Sequence, residues 1–137
     1  MTQTRNTRQR LLVLDAVQAR HDHPTADDIY LDVRARDGRI SRGTVYRNLG
    51  LLARTGEILQ VKVPAADRFD SRLDLHYHLL CTRCGSLADV SLPYQEELDQ
   101  RLSEASGYRI TRHRTVFEGV CPACQAAQET AQKTHSA

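Results

Sequence analysis

All four cysteines of the chain fall in two pairs, Cys81-Thr-Arg-Cys84 and Cys121-Pro-Ala-Cys124, with 36 residues between them. Two thiolates three positions apart on one turn can grip one ion. Two such turns complete a tetrahedral sulfur shell around zinc, with Zn–S bonds of about 2.3 Å. Four protein ligands leave no position open for a substrate, so a zinc held this way is structural. A second reading is redox, because Cys121-Pro-Ala-Cys124 has the form of a disulfide-exchange dithiol. Such a dithiol normally sits between an early strand and a helix, whereas this one lies near the end of the chain and has a matching pair upstream. A zinc deaminase is disfavoured, since its His-x-Glu motif is lacking and the proline lies inside the second pair instead of before it.

A second group is chemically different. His76-Tyr-His78 reads as part of a strand, where residues two apart point to the same face, so both imidazoles can reach one ion. Asp70 lies just upstream, and Asp89 lies on the next expected strand, where pairing would bring it alongside the histidines. Imidazoles and carboxylates without thiolate suit Fe(II), Mn(II) or Zn(II) better than a soft metal. Histidines with no ligand role are the alternative that the residues alone leave open.

The elements that must position these residues begin with a helix over Thr7–Ala19, where Leu11, Leu14 and Val17 recur at helical spacing. His21-Asp-His-Pro24 ends it. Thr25-Ala-Asp-Asp28 starts a second helix with acids in its first turn. Ser41 caps a third, Arg42–Thr55, with Val45, Leu49 and Leu52 inward, Arg42, Tyr46 and Arg47 outward, and Gly56 at the position after its C-cap. Ile58–Val63 and Arg68–Asp70 then read as a hairpin. Helices followed by such a hairpin suggest a winged helix. Beyond about residue 72 the pattern predicts strands at His76–Cys81 and Leu87–Ser91, a helix over Pro93–Ser106 and strand around Tyr108–Phe117. The fold class is therefore α+β: a winged helix-turn-helix domain over 1–71, a small α/β domain over 72–124, and a polar, aperiodic tail over 125–137 that should be frayed.

Charge divides unevenly over the 137 residues, with 12 Lys and Arg against 8 Asp and Glu in 1–68, but 7 against 9 in 69–137. A basic first half suits a polyanion such as DNA, although a solvated basic face gives the same count. The apolar run Leu11–Leu14 is broken at once by Asp15, so no secretory pattern is read at the start, and no stretch reaches the length of a membrane span. The expectation is a cytoplasmic protein, in which cysteines serve metals or redox chemistry more often than disulfides.

With these motifs in order, from Thr7-Arg-Gln-Arg10 through His23-Pro-Thr-Ala-Asp-Asp-Ile-Tyr30, Gly43-Thr-Val-Tyr-Arg-Asn-Leu49, Arg68-Phe-Asp70 and His76-Tyr-His78 to both cysteine pairs, the sequence resembles the ferric uptake regulator family over about Arg5 to Cys124. Asp89 and Tyr77 resemble its peroxide-sensing branch, while Arg47 stands where the iron-sensing branch has arginine. The resemblance implies structural zinc on Cys81, Cys84, Cys121 and Cys124. It also implies a regulatory Fe(II) or Mn(II) on His23, Asp70, His76, His78 and Asp89. A further family metal site, matching Glu96 and His113, is incomplete because Leu75 and Tyr77 replace its other ligands. The function implied is a homodimeric, metal-dependent repressor that senses peroxide and binds double-stranded palindromic operator DNA through Arg5, Arg42, Thr44, Tyr46 and Arg47. An iron- or zinc-responsive repressor indifferent to peroxide, and more remotely a zinc-ribbon redox enzyme, are the alternatives.

Overall fold

The computed structural model describes residues 5–135, which fall into two compact units, one ending at Asp74 and the other beginning at Leu75. The first unit opens with helices α1 (Arg5–Gln18), α2 (Ala26–Arg36) and α3 (Arg42–Arg54). α2 starts at Ala26 because the Thr25 hydroxyl accepts the Asp28 N–H while the Asp28 carboxylate accepts the Thr25 N–H, a reciprocal capping box. The Ser41 hydroxyl caps α3 on the Thr44 N–H, and the chain leaves α3 through Gly56 at φ 80, a conformation that side chains resist. Val13, Val17, Ile29, Val33, Val45, Leu49 and Leu52 fill the core between the three helices. β1 (Leu59–Val61) and β2 (Arg68–Asp70) pair antiparallel with Leu59 opposite Asp70. Ile58 and Phe69 belong to the same core, so the hairpin is anchored to the helices.

The second unit is built on a three-stranded sheet in the order β4–β3–β5. Central β3 (His78–Cys81) runs antiparallel to β4 (Leu87–Asp89) and parallel to β5 (Val116–Gly119). A parallel partner requires a crossover. Here the crossover carries α4 (Glu96–Ser106), with Glu96, Glu97 and Asp99 at its positive end and a left-handed Gly107 as its C-cap. α4 buries none of its residues, and Leu98 and Leu102 are roughly half exposed, as are Leu79 on β3 and Phe117 on β5. So much open apolar surface on one small unit is the kind that a protein partner covers. Among the described residues no helix is long and apolar enough to cross a membrane.

Three local expectations differ from what is observed. The strand expected around Tyr108–Phe117 begins only at Val116, since upstream N–H groups are taken by side chains: Tyr108 by Ser106 Oγ, Ile110 by Ser103 Oγ and His113 by the Tyr94 hydroxyl. His76 precedes β3 instead of lying in it. The segment from Gln125, read as aperiodic, continues α5 (Pro122–His135), and residues 136–137 of the expected tail lie outside those described. Pro122 suits the first helical position, and the alanines and glutamines that follow have high helix propensity without an apolar stripe to reveal it.

Candidate metal centres and DNA-facing surface

The Cys81–Cys84 turn leaves β3 and the Cys121–Cys124 turn follows β5. Parallel pairing sets Cys81 opposite Gly119, so the two turns emerge at one end of the sheet. The four sulfurs lie within 4.8 Å of one another, with Cys81–Cys124 at 3.8 Å and Cys84–Cys121 at 3.9 Å. Sulfurs bonded to zinc at about 2.3 Å form a tetrahedron with edges of about 3.8 Å, so the quartet has the dimensions of a zinc shell. All four thiols are free.

Their electrostatics call for a cation. The Cys81 thiol is drawn down to about 5 by the backbone N–H of Cys84 and then that of Cys121, each 3.4 Å from its sulfur. Cys84 is lowered by the Ser86 hydroxyl and then the Ser86 backbone. Cys124 is instead pushed up to about 12, because hydrogen bonding to the Cys121 sulfur, burial, and the sulfurs of Cys81 and Cys84 favour its thiol. Four thiolates at this spacing need positive charge among them, which a divalent ion supplies.

The imidazole and carboxylate residues form two sets, one in each unit. In the second unit His78 stands directly opposite Asp89 across the β3–β4 pair, with Nε2 3.5 Å from Asp89 Oδ1. His76 Nε2 lies 3.2 Å from the same oxygen, and the two imidazole rings are 4.5 Å apart. In the first unit Asp70 ends β2, its Oδ2 3.4 Å from His23 Nε2. His23 stands at φ 54, in the left-handed region that costs a residue with a Cβ about 1–2 kcal/mol. β2 holds it there: the Arg68 guanidinium donates to the His23 carbonyl at 3.0 Å, and the Phe69 N–H donates to the Pro24 carbonyl at 2.8 Å. A strained backbone supported on both sides is typical of a functional position. In both sets Nε2 and carboxylate oxygen converge without sulfur, a donor chemistry that fits Fe(II), Mn(II) or Zn(II).

On α3, Arg42, Tyr46 and Arg47 are exposed, and the half-buried Thr44 hydroxyl accepts from Arg47 at 3.1 Å. Arg5 is exposed at the first residue of α1. A groove of about 410 Å³ between α1 and α3 is lined by Asn6, Arg10, Thr44, Arg47 and Arg54 among others, and its three arginines suit a phosphate backbone. Asp27 on α2 escaped sequence reasoning. Its carboxylate accepts from both the Arg42 guanidinium and the Tyr46 hydroxyl, raising the Tyr46 pKa, while Arg42 lies 4.5 Å over the Tyr30 ring. No sequence spacing signals that contact, which joins residues 15 and 19 positions apart. Tyr94 and Asp99, partners of His113, were missed for the same reason.

Comparison with known proteins agrees with the architecture. The profile of the Ferric uptake regulator family matches residues 1–118. The peroxide operon regulator of Bacillus subtilis is 34% identical over 124 residues, spanning 90% of this chain and 86% of that protein. The peroxide-responsive repressor PerR of Staphylococcus saprophyticus is 34% identical over 122 residues, spanning 88% and 82%. Among solved structures, the Campylobacter jejuni peroxide stress regulator superposes with a TM-score of 0.73 at 28% identity, covering 87% of this chain and 90% of that one. The Helicobacter pylori ferric uptake regulator shares the fold, with a TM-score of 0.78 at 22% identity over 88% and 84% of the two chains.

Proposed function

Since the chain belongs to the ferric uptake regulator family, we propose that it is a peroxide-responsive repressor of transcription, with a structural zinc on Cys81, Cys84, Cys121 and Cys124 and an exchangeable Fe(II) or Mn(II) on His23, Asp70, His76, His78 and Asp89. The observation that carries this reading is the presence of two chemically unlike donor sets: a closed sulfur quartet, and imidazole–carboxylate pairs without sulfur. Two such sites invite two roles, one holding the fold and one exchanging with the cell. The named relatives are regulators, which sets aside the redox-enzyme alternative.

The first unit reads DNA. Tyr46 offers apolar contact to a thymine methyl, Arg47 can pair with a guanine edge, and Arg42, Thr44 and Arg5 complete the surface at the backbone or minor groove. The second unit pairs with a second copy through the apolar surface around Leu79, Leu98, Leu102 and Phe117. Two heads in a homodimer fit a palindromic operator with half-sites roughly 34–36 Å apart. His23 and Asp70 on one side, with His76, His78 and Asp89 on the other, fix the head's orientation when they share the ion. DNA binding is then a population shift, bounded by the ion's preference for the fixed form. The cytoplasm, where thiols stay reduced and DNA is at hand, is the compartment this reading requires.

Fe(II) in this site would supply cleavage of the peroxide O–O bond, which Mn(II) and Zn(II) do not readily supply. With Fe(II) held there, a ring C–H of His23 or His76 would become C–OH by taking one oxygen of the peroxide, the other leaving as water. Such a ring would be a poorer ligand, so its oxidation would weaken the ion's hold and with it operator binding. Arg47 favours a second reading, an iron- or zinc-responsive repressor indifferent to peroxide. Intact-mass analysis of protein loaded with Fe(II) or Mn(II), after stoichiometric peroxide, separates them. One added oxygen on the peptide carrying His23 or His76, in the iron form alone, is expected; an unmodified iron form transfers the assignment to the second reading.

A further inference from the structure

We propose that a part-buried chain of hydrogen bonds, Tyr77–His113–Asp99–Tyr94, is the positioning device that aims the His76 and His78 imidazoles, and that it occupies His113 fully, keeping it out of metal binding. The proposal rests on the reading of His76 and His78 as ligands. All four members lie in the second unit, drawn from three separate segments: Tyr77 just before β3, Tyr94 just before α4 with Asp99 in its first turn, and His113 shortly before β5.

The geometry is continuous. Tyr77 Oη lies 2.6 Å from His113 Nε2, and His113 Nδ1 lies 2.7 Å from Asp99 Oδ1. The Tyr94 hydroxyl donates to Asp99 Oδ2 and accepts the His113 N–H at 2.9 Å, while Tyr77 Oη accepts the Gln95 N–H at 2.9 Å. Only one neutral-histidine arrangement of protons satisfies every member. Asp99 accepts from both sides, so His113 carries its proton on Nδ1. Nε2 must then accept, and the proton it accepts is that of Tyr77. Asp99 is accordingly held below the usual carboxylate range, first by the Tyr94 hydroxyl and then by His113. Ring packing reinforces the bonds. Tyr94 stacks on His113 at 4.5 Å and 20°, and Phe117 meets Tyr77 edge-on at 5.7 Å and 83°.

Two consequences follow for the metal ligands. Tyr77 sits between His76 and His78 and is buried, with 2% of its surface exposed. Its backbone carbonyl accepts from Val90 at 2.9 Å, so this residue is gripped at both the main chain and the tip of its side chain. Where the histidine rings go together, the intervening side chain goes the other way. Pinning the phenol therefore fixes the roll of the segment, and with it the direction in which both imidazoles leave. His113, meanwhile, has both ring nitrogens engaged and no lone pair to offer an ion.

The test is Mn(II) affinity of the full-length, zinc-loaded protein, read by electron paramagnetic resonance of free Mn(II). Tyr77→Phe deletes one oxygen and keeps the ring. It and His113→Ala are each expected to weaken Mn(II) binding about tenfold, the lower end for outer-sphere partners of metal ligands. The double variant should be no weaker than His113→Ala alone, because both cut one chain, and His113→Gln, which can still accept from Tyr77, should recover most of the loss. A merely structural role would give neither the non-additivity nor the rescue. Unchanged affinity in both single variants, or losses that multiply in the double variant, overturns the proposal. If wild-type Mn(II) binding survives His78→Ala, the ligand assignment itself falls, and the positioning role with it.

Discussion

The sulfur quartet and the imidazole–carboxylate residues are positioned by different means. The cysteines come from two turns fixed by one parallel strand pair, and every donor lies within the second unit. Of the other set, His76, His78 and Asp89 are placed by the β3–β4 register and its approach segment, while His23 and Asp70 are placed by a strained loop stapled to a two-stranded wing. A site complete inside one unit can hold its ion permanently. The imidazole–carboxylate donors instead form one pair in the first unit and one group in the second.

The strongest way to break this contrast is to remove one donor from each set. Structural zinc supplies on the order of 10 kcal/mol in small domains, comparable with their whole stability. Cys81→Ser or Cys124→Ser should therefore abolish the folded dimer, as seen by circular dichroism and size exclusion. A cysteine variant that stays folded without zinc ends the structural assignment. His78→Ala should leave zinc content, fold and dimer intact while metal-dependent operator binding drops by at least about tenfold, measured by fluorescence anisotropy with Mn(II). If the two variants behave alike, the division into holding and sensing sites is wrong.

Protons sharpen the same contrast. With Cys81 drawn down to about 5 and Cys124 pushed up to about 12, the metal-free quartet at neutral pH already holds thiolate at Cys81 and still holds a proton at Cys124. Zinc must displace that proton, so binding should release acid, and falling pH should favour zinc loss. An indicator-dye titration of reduced, metal-free protein with zinc at neutral pH checks the sign; no proton release would mean that Cys124 is not a ligand.

The head should respond on a smaller scale. Arg47→Ala should relax base preference at one position by about 1–3 kcal/mol. Arg5→Ala should instead weaken all sequences alike and lower the salt slope by roughly 0.9. Competition binding against operator variants at two salt concentrations separates the two, and an intact preference in Arg47→Ala removes α3 from base reading. Smallest of all, Asp27→Asn should raise affinity for random DNA by at most about fivefold, since an exposed ion pair is weak. A fall in random-sequence affinity would show that Asp27 supports Arg42 instead of competing for it.

What could be read from the sequence follows the range of the forces involved. The limits of α2 and α3 were legible because Thr25, Asp28, Ser41 and Gly56 act within one turn of where they stand. The cysteine pairs were legible because their spacing is itself the chemistry. His76 was assigned to a strand it does not join, yet its alternation with His78 survived, since an extended approach segment keeps the same period. The 108–115 region was misread as strand because the N–H groups of Tyr108, Ile110 and His113 are satisfied by side chains of α4 and of Tyr94 just before it, which no local pattern reveals. Asp27 and the Tyr77–His113–Asp99 chain were invisible for the same reason.

The parallel pairing of β3 with β5 also bears on how the molecule comes into being. Cys81 and Gly119 must meet across a loop of about 40 residues, and closing one costs an entropy of about 3 kcal/mol before any contact rewards it. The helices of the first unit, by contrast, meet through contacts close in sequence and can settle while synthesis continues. On a ribosome the quartet is incomplete until Cys124, well downstream of Cys81, has emerged. Full coordination of zinc therefore waits on synthesis of both cysteine pairs, whereas the helices of the first unit do not.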